Sequence, residues 1–248
     1  MEIIRKPFQG LSNVIRFNWH FYLSALGFIA VMAIASLITR GLLSTCLSLF
    51  IFLGLLVMII SLLVSFYVYD LSGLYTLTWL DSVVLGSPAR IVNIHAGFDE
   101  TSALLHQRYP DSQLIVYDFY DPNSHTEVSI ERARAAYPPY TDTLTVQTSY
   151  LPLSDQYVDI IFVILSAHEI RNDRERAIFF KELKRVLKPS GKIIVVEHLR
   201  DLPNFAAYTI GAFHFLPRHT WSETFASAGL QMSKEIKITP FISTFILN

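Results

Sequence analysis

The sequence predicts an α/β domain, a mostly parallel sheet with helices on both faces, preceded by a transmembrane helical hairpin. Three observations carry this. Two uncharged apolar runs lie near the N-terminus, residues 21–38 and 42–68. From Arg90 onward, short β-branched runs alternate with helical patterns, as a parallel sheet flanked by helices requires. The histidines and acids best suited to chemistry fall at the carboxyl ends of the expected strands, where ligands bind in such sheets.

The chain has 248 residues, enough for one domain of ordinary size plus an appendage. Its hydrophobic content of 52% and mean hydropathy of +0.38 exceed the roughly 45–50% apolar content of a soluble chain, and the two N-terminal runs supply the excess. Lys and Arg (20) nearly balance Asp and Glu (21), so no overall field draws the protein to nucleic acid. The single cysteine, Cys46, lies inside an apolar run, which excludes an intramolecular disulfide and a cysteine-based zinc site.

Residues 21–38 cover roughly 27 Å as a helix, close to the thickness of a hydrocarbon core. Thr39, Arg40 and Gly41 connect them to the second run. So short a link forces two spanning helices antiparallel and puts both chain ends on one side, since in lipid each helix satisfies its own backbone. Arg5, Lys6 and Arg16 precede the hairpin and only Arg40 lies in its loop, which places the termini in the cytoplasm and the hairpin in the cytoplasmic (inner) membrane. Trp19, Tyr22, Tyr67 and Tyr69 fall near the expected interfaces. A cleaved signal peptide would have a shorter apolar core followed by a small-residue cleavage site and polar sequence. Ala25, Gly27, Ala30, Ala33 and Ala35 permit close packing against the second helix or against another copy of the chain. The expected division is an anchor over residues 1–68, an interfacial connector over 69–89 closed by a Gly-Ser-Pro breaker, and a catalytic domain over 90–248.

In that domain the pattern predicts strands over residues 91–94, 114–117, 144–148, 160–165 and 193–197. Helices are expected over 101–108, 128–136 and 174–187, the last ending in Lys188, Pro189, Ser190 and Gly191.

Residues 151–198 resemble the second half of class I S-adenosylmethionine-dependent methyltransferases, particularly those acting on quinones, sterols and other small lipids. The matching features, in order, are Leu151 to Leu153, Tyr157 to Asp159, Arg185 to Gly191 with Ser190 in place of a glycine, and Glu197. The likeness extends over roughly residues 90–229. It implies a Rossmann-like domain with a mostly parallel seven-stranded sheet, and S-adenosyl-L-methionine as cofactor. It also implies donor-binding positions: Asn93, His95 and Gly97 in the first loop, Asp118 for the ribose hydroxyls with Asp121 nearby, Thr148 and Ser149 near the adenine, and Ser166 after the fourth strand. Two departures stand out. The family's acidic-x-Gly-x-Gly-x-Gly loop reads Asn93, Ile94, His95, Ala96, Gly97, Phe98, Asp99, keeping only the central glycine. The acid usual after the third strand is absent from Thr148, Ser149 and Tyr150.

Methyl transfer from a sulfonium requires collinear donor and acceptor and, for a weak nucleophile, a base. Histidine suits the second task. His168 and Glu169 end the fourth expected strand, His198 follows the fifth, and His214 and His219 lie in the insert 202–221. The leading catalytic candidates are His168 and His214, with Glu169 orienting a base or interacting with the donor. No HExxH-type spacing accompanies these histidines, so no metal site is expected. The insert, rich in Phe, Tyr and Ala, predicts an apolar lid and a hydrophobic acceptor such as a quinone, isoprenoid, pigment precursor or lipid. The alternative is an inactive membrane-anchored scaffold that retains the fold without the donor.

Overall fold

The computed structural model describes residues 5–84, 86–124 and 127–248. The first four residues of the expected anchor, and Leu85 of the expected connector, lie outside them.

Seven strands, β1 (Arg90–His95), β2 (Gln113–Asp118), β3 (Leu144–Thr145), β4 (Val158–Ile164), β5 (Leu187–His198), β6 (Met232–Thr239) and β7 (Ile242–Leu247), form one sheet in the order β3-β2-β1-β4-β5-β7-β6. The first five run parallel; β7 is antiparallel to both β5 and β6. The central strands are covered on both faces, which is why VDIIFVI and KIIVVEH read as nearly unbroken apolar runs rather than alternating ones. The expected strand over 144–148 stops at Thr145, because the next residues fold into a turn bridged by Gln147 and Tyr150.

Two apolar layers clasp the sheet. On one face Phe179, Phe180 and Leu183 of α6 (Asp173–Val186) and Trp221 and Phe225 of α8 (Arg218–Ser227) pack on Val92, Ile94, Ile161, Val163 and Val195. Asn172 starts α6 by accepting the Glu175 amide at 3.0 Å, with Asp173 and Glu175 in the first turn and Lys184 and Arg185 in the last, matching the helix dipole at each end.

The other face is covered by the segment that follows the hairpin. Leu74, Leu77, Leu80 and Val83, placed by the sequence reading in an interfacial connector, are buried against Ile91, Phe162, Ile194 and Val196. Each buried leucine contributes roughly 1.5–3 kcal/mol, so this segment is part of the domain core.

The N-terminal region holds α1 (Gln9–Phe17), α2 (Trp19–Ile38) and α3 (Leu42–Phe66), the last continuing through a π-helical turn to Leu71. Trp19–Ile38 and Leu42–Leu71 have mean hydropathies of 2.2 and 3.0 and an exposed lateral surface, and are long and apolar enough to cross a membrane. They form a hairpin turned at Gly41, whose φ of +69° favours glycine, and are joined by the Ser44 hydroxyl donating to the Ser36 carbonyl at 3.0 Å. A Cβ built on Gly27 would meet nothing within 4 Å, so this glycine is not what lets the two helices approach.

Helix α1 was not expected. Its first free amides, Gly10 and Leu11, both donate at 2.8 Å to the carboxylate of Asp70, on the π-helical turn. Gly10 has no room for a side chain: a Cβ there would lie 2.4 Å from that of Tyr69. Its other end reaches the α/β domain, where Phe17 packs edge-on against Phe98 and Tyr137, the latter preceded by α5 (Val128–Ala136).

Candidate active site

The carboxyl ends of the parallel strands form a crest with two halves. The first is the turn from β1 into α4 (Ser102–Arg108). Asp99 receives the Thr101 and Ser102 amides at 2.9 Å each, holding the start of α4, while Asn93 donates to the hydroxyls of Thr101 (3.0 Å) and Ser102 (2.8 Å). Gly97 turns the chain with φ +91° and donates its amide to His95 Nδ1 at 3.1 Å. That contact leaves the ring proton on Nε2. Burial lowers the His95 pKa against the pull of Asp99 and Asp118, so the ring is neutral.

Asp118, at the end of β2, accepts the Tyr120 amide at 2.9 Å on one oxygen and pairs with Arg134 through the other. Arg134 lies over the Tyr120 ring and so close to Gly97 that a Cβ there would meet it at 2.8 Å. Ser166 donates to the Ile94 carbonyl at 3.0 Å and ties β4 to β1. Thr148 donates to Glu175 at 2.7 Å and Ser149 is exposed, so the structure does not join this pair to Asp118 by any contact of their side chains.

The second half centres on His168. Leu165 adopts φ +51°, an uncommon conformation for a leucine, and turns the chain from β4 into a short 3₁₀ turn, Ala167–Glu169. The fully buried Glu197 of β5 takes His168 Nδ1 at 2.6 Å and its amide at 3.2 Å. His168 Nε2 lies 3.1 Å from Glu169 Oε1. Burial disfavours the imidazolium, but the Glu197 carboxylate and the hydrogen bonds to both glutamates outweigh it and raise the His168 pKa to about 10. Burial likewise opposes ionisation of Glu169, yet the hydrogen bonds from His168 and His214 hold its carboxyl well below the usual range.

His214 arrives from the insert, after α7 (Leu202–Tyr208). Its Nδ1 lies 2.6 Å from Glu127 and its Nε2 3.7 Å from Glu169. The two imidazoles meet edge to face, with centroids 5.0 Å apart. Arg171 bridges Glu127 (3.2 Å) and the His214 carbonyl (2.5 Å). The structure thus assembles His168, Glu169 and His214, and adds Glu127 and Glu197. Glu197 was visible in sequence only as a strand-ending acid, and Glu127 carried no signal.

His198 is not part of this cluster. It accepts the Tyr69 hydroxyl at 2.9 Å, donates to Asn204 at 3.0 Å and stacks on Phe215. Burial lowers its pKa to about 4, so it is a neutral structural link between the π-helical turn, β5 and α7. His219 is exposed on α8.

Residues 94–195 match the family model described as a methyltransferase domain. A curated relative, the ubiquinone/menaquinone biosynthesis C-methyltransferase UbiE of Paraburkholderia phymatum, is 33% identical over 78 residues, which is 31% of each chain. The chain therefore aligns with about a third of that relative's length. Among solved structures, the PH0226 protein of Pyrococcus horikoshii is similar at 16% identity, with 68% of this chain and 85% of that chain covered and a TM-score of 0.50. The methyltransferase CalO6 is similar at 15% identity, with 69% and 60% covered and a TM-score of 0.50. At such identities the structural likeness bears on the fold, and the seven-stranded Rossmann-like sheet agrees with it.

Proposed function

We infer that the chain uses the class I methyltransferase domain it carries to transfer a methyl group from S-adenosylmethionine to a hydrophobic acceptor drawn from a bilayer. When bound, the donor supplies an electrophilic methyl group on a sulfonium. The observation that carries the reading is the convergence of Gly97, Asp118, Ser166 and the His168–Glu169–His214 cluster along one crest.

The first loop fits the donor's amino-acid end. Three buried atoms there lack a hydrogen-bond partner: Asn93 Oδ1, Asp99 Oδ2 and His95 Nε2. The first two are acceptors suited to an ammonium; the third carries a proton suited to a carboxylate. Asp118 has the acceptor oxygens a ribose diol needs once Arg134, 38% exposed, releases it. A polar group left unpaired in a buried site costs about 1–3 kcal/mol, and a ligand that satisfies it recovers that cost.

On the acceptor side His168, held as a cation, takes up no proton. His214 acts as the base: with Nδ1 held by Glu127, its Nε2 takes a proton once it is released from Glu169 and Arg171, which stand 3.7 Å and 3.1 Å from it. Leu202, Ile210 and Phe213 of the insert are 81%, 82% and 60% exposed, and α7 packs on α3, so this apolar rim lies beside the hairpin. We read the hairpin as spanning the cytoplasmic membrane with the domain in the cytoplasm, on the distribution of Arg5, Lys6 and Arg16 against Arg40. A quinone-type acceptor accords with the activity named for the Paraburkholderia relative.

Calorimetry on detergent-purified full-length protein with S-adenosylmethionine and its demethylated product tests the donor. Transfer of labelled methyl to a lipid extract tests the acceptor. Binding of neither donor nor product would discard the reading. A second reading, an anchored scaffold without donor, draws support from Arg134 lying across Gly97 and engaging Asp118. It requires Asp118→Ala to leave cellular function intact.

A further inference from the structure

We propose that His168, Glu169 and His214 form a binding site for a divalent transition-metal cation, with Zn2+ the best match to the donor set. One ligand atom from each residue falls within 4.8 Å of the others, and Glu169 Oε1 stands 3.1 Å from His168 Nε2 and 3.7 Å from His214 Nε2. Ligand atoms at roughly 2.0–2.1 Å from a tetrahedral zinc lie about 3.3 Å apart, a separation that the Glu169 oxygen already approaches with both ring nitrogens. Two imidazole nitrogens and one carboxylate oxygen are the donor set of catalytic zinc centres and of open-sided iron(II) centres.

The surroundings of the two rings carry the inference beyond spacing. His168 Nδ1 is held by Glu197 at 2.6 Å and His214 Nδ1 by Glu127 at 2.6 Å. Each histidine therefore has a carboxylate behind it and turns the opposite nitrogen toward the same glutamate oxygen, as metal-ligating histidines do. Arg171 Nη2 now stands 2.6 Å from His214 Nδ1 and 3.1 Å from His214 Nε2, so a bound dication takes the place of the proton on His168 Nε2 and moves the guanidinium onto its other partner, Glu127. The His214 side chain is 27% exposed, so the cluster can be reached from solvent.

The site itself does not depend on the methyltransferase reading; only its use does. In that use the cation takes the place of His214 as activator: an acceptor hydroxyl occupies the fourth position, its oxygen is polarised, and its proton passes to water.

The test uses the full-length, tag-free protein in detergent, stripped with chelator and free of donor and acceptor. It is titrated with Zn2+ by calorimetry and with Co2+ by visible absorption. One Zn2+ per chain and Co2+ bands of tetrahedral intensity are expected. Glu197→Gln should weaken Zn2+ binding about 10–100-fold with an unchanged circular dichroism spectrum. His214→Gln should abolish it, and His219→Gln should leave it unaltered. Failure of the parent protein to bind stoichiometrically overturns the proposal, as does binding indifferent to Glu197→Gln and His214→Gln. Donor binding is measured separately. Its loss with Zn2+ binding intact sinks the methyltransferase reading alone, and the converse sinks this site alone.

Discussion

The two halves of the crest sit at equivalent places in one sheet, yet they are built differently. Around β1 and β2 the polar groups are engaged over short range. Asp99 holds the helix that begins three residues later, and Gly97 donates to His95, two residues before it. Around β4 and β5 the cluster gathers Glu127, His168, Glu197 and His214 from four separate segments. A loop whose turn is held by near neighbours tolerates replacement of its glycines, because the turn survives without a ligand even though Asn93 Oδ1, His95 Nε2 and Asp99 Oδ2 stay unpaired. A cluster drawn from distant segments brings like charges together and persists only if something compensates them.

The comparison breaks most visibly at Glu197. Removing the buried partner of His168 in Glu197→Leu should destabilise the domain by about 3–5 kcal/mol, read as a drop in apparent melting temperature. A loss below about 1 kcal/mol would show that the second half is no more interdependent than the first.

A comparable effect should appear with pH at His198. Its pKa falls from an ordinary 6.5 to about 4 on folding, so the unfolded chain binds the extra proton between those values. Stability is complete above pH 6.5 and declines as pH falls toward 4, by on the order of 3 kcal/mol for this group. Tyr69, Tyr208, His168 and Asp201 are the titratable groups facing it. His198→Asn should flatten the melting temperature over that window; an unchanged slope would place the sensitivity elsewhere.

In the first half, Asp118→Ala should weaken binding of S-adenosylmethionine by about 10–100-fold, the worth of hydrogen bonds to a charged acceptor at roughly 1.5–3 kcal/mol. Calorimetry checks it, and unaltered affinity would remove Asp118 from the donor site. The smallest effect belongs to Arg134. A partly exposed ion pair is worth about 0.2–1 kcal/mol, so freeing Asp118 in Arg134→Ala should tighten donor binding only a few-fold. Weaker binding would instead make Arg134 a donor contact.

Much of this architecture is local chemistry and could be read from the chain alone. The runs that become β1, β2, β4 and β5 are apolar because both faces are covered, and α6 announces itself through Asn172 at one end and Lys184 and Arg185 at the other. The two long helices follow from uninterrupted apolar length, since nothing else in a 20- or 30-residue stretch competes with the backbone's own hydrogen bonds.

Tertiary structure alone decided the rest. Helix α1 carries no start signal of its own, because the carboxylate that receives its first amides belongs to Asp70. The 69–84 segment mixes polar and apolar residues without a clean period, so only the sheet face it meets makes Leu74, Leu77 and Leu80 a core. Metal-type spacing is absent from the sequence because His214 reaches the adjacent pair His168 and Glu169 only through space. A linear pattern records neighbours along the chain, whereas burial, charge compensation and ligand geometry depend on which distant segments the fold brings within a few ångströms.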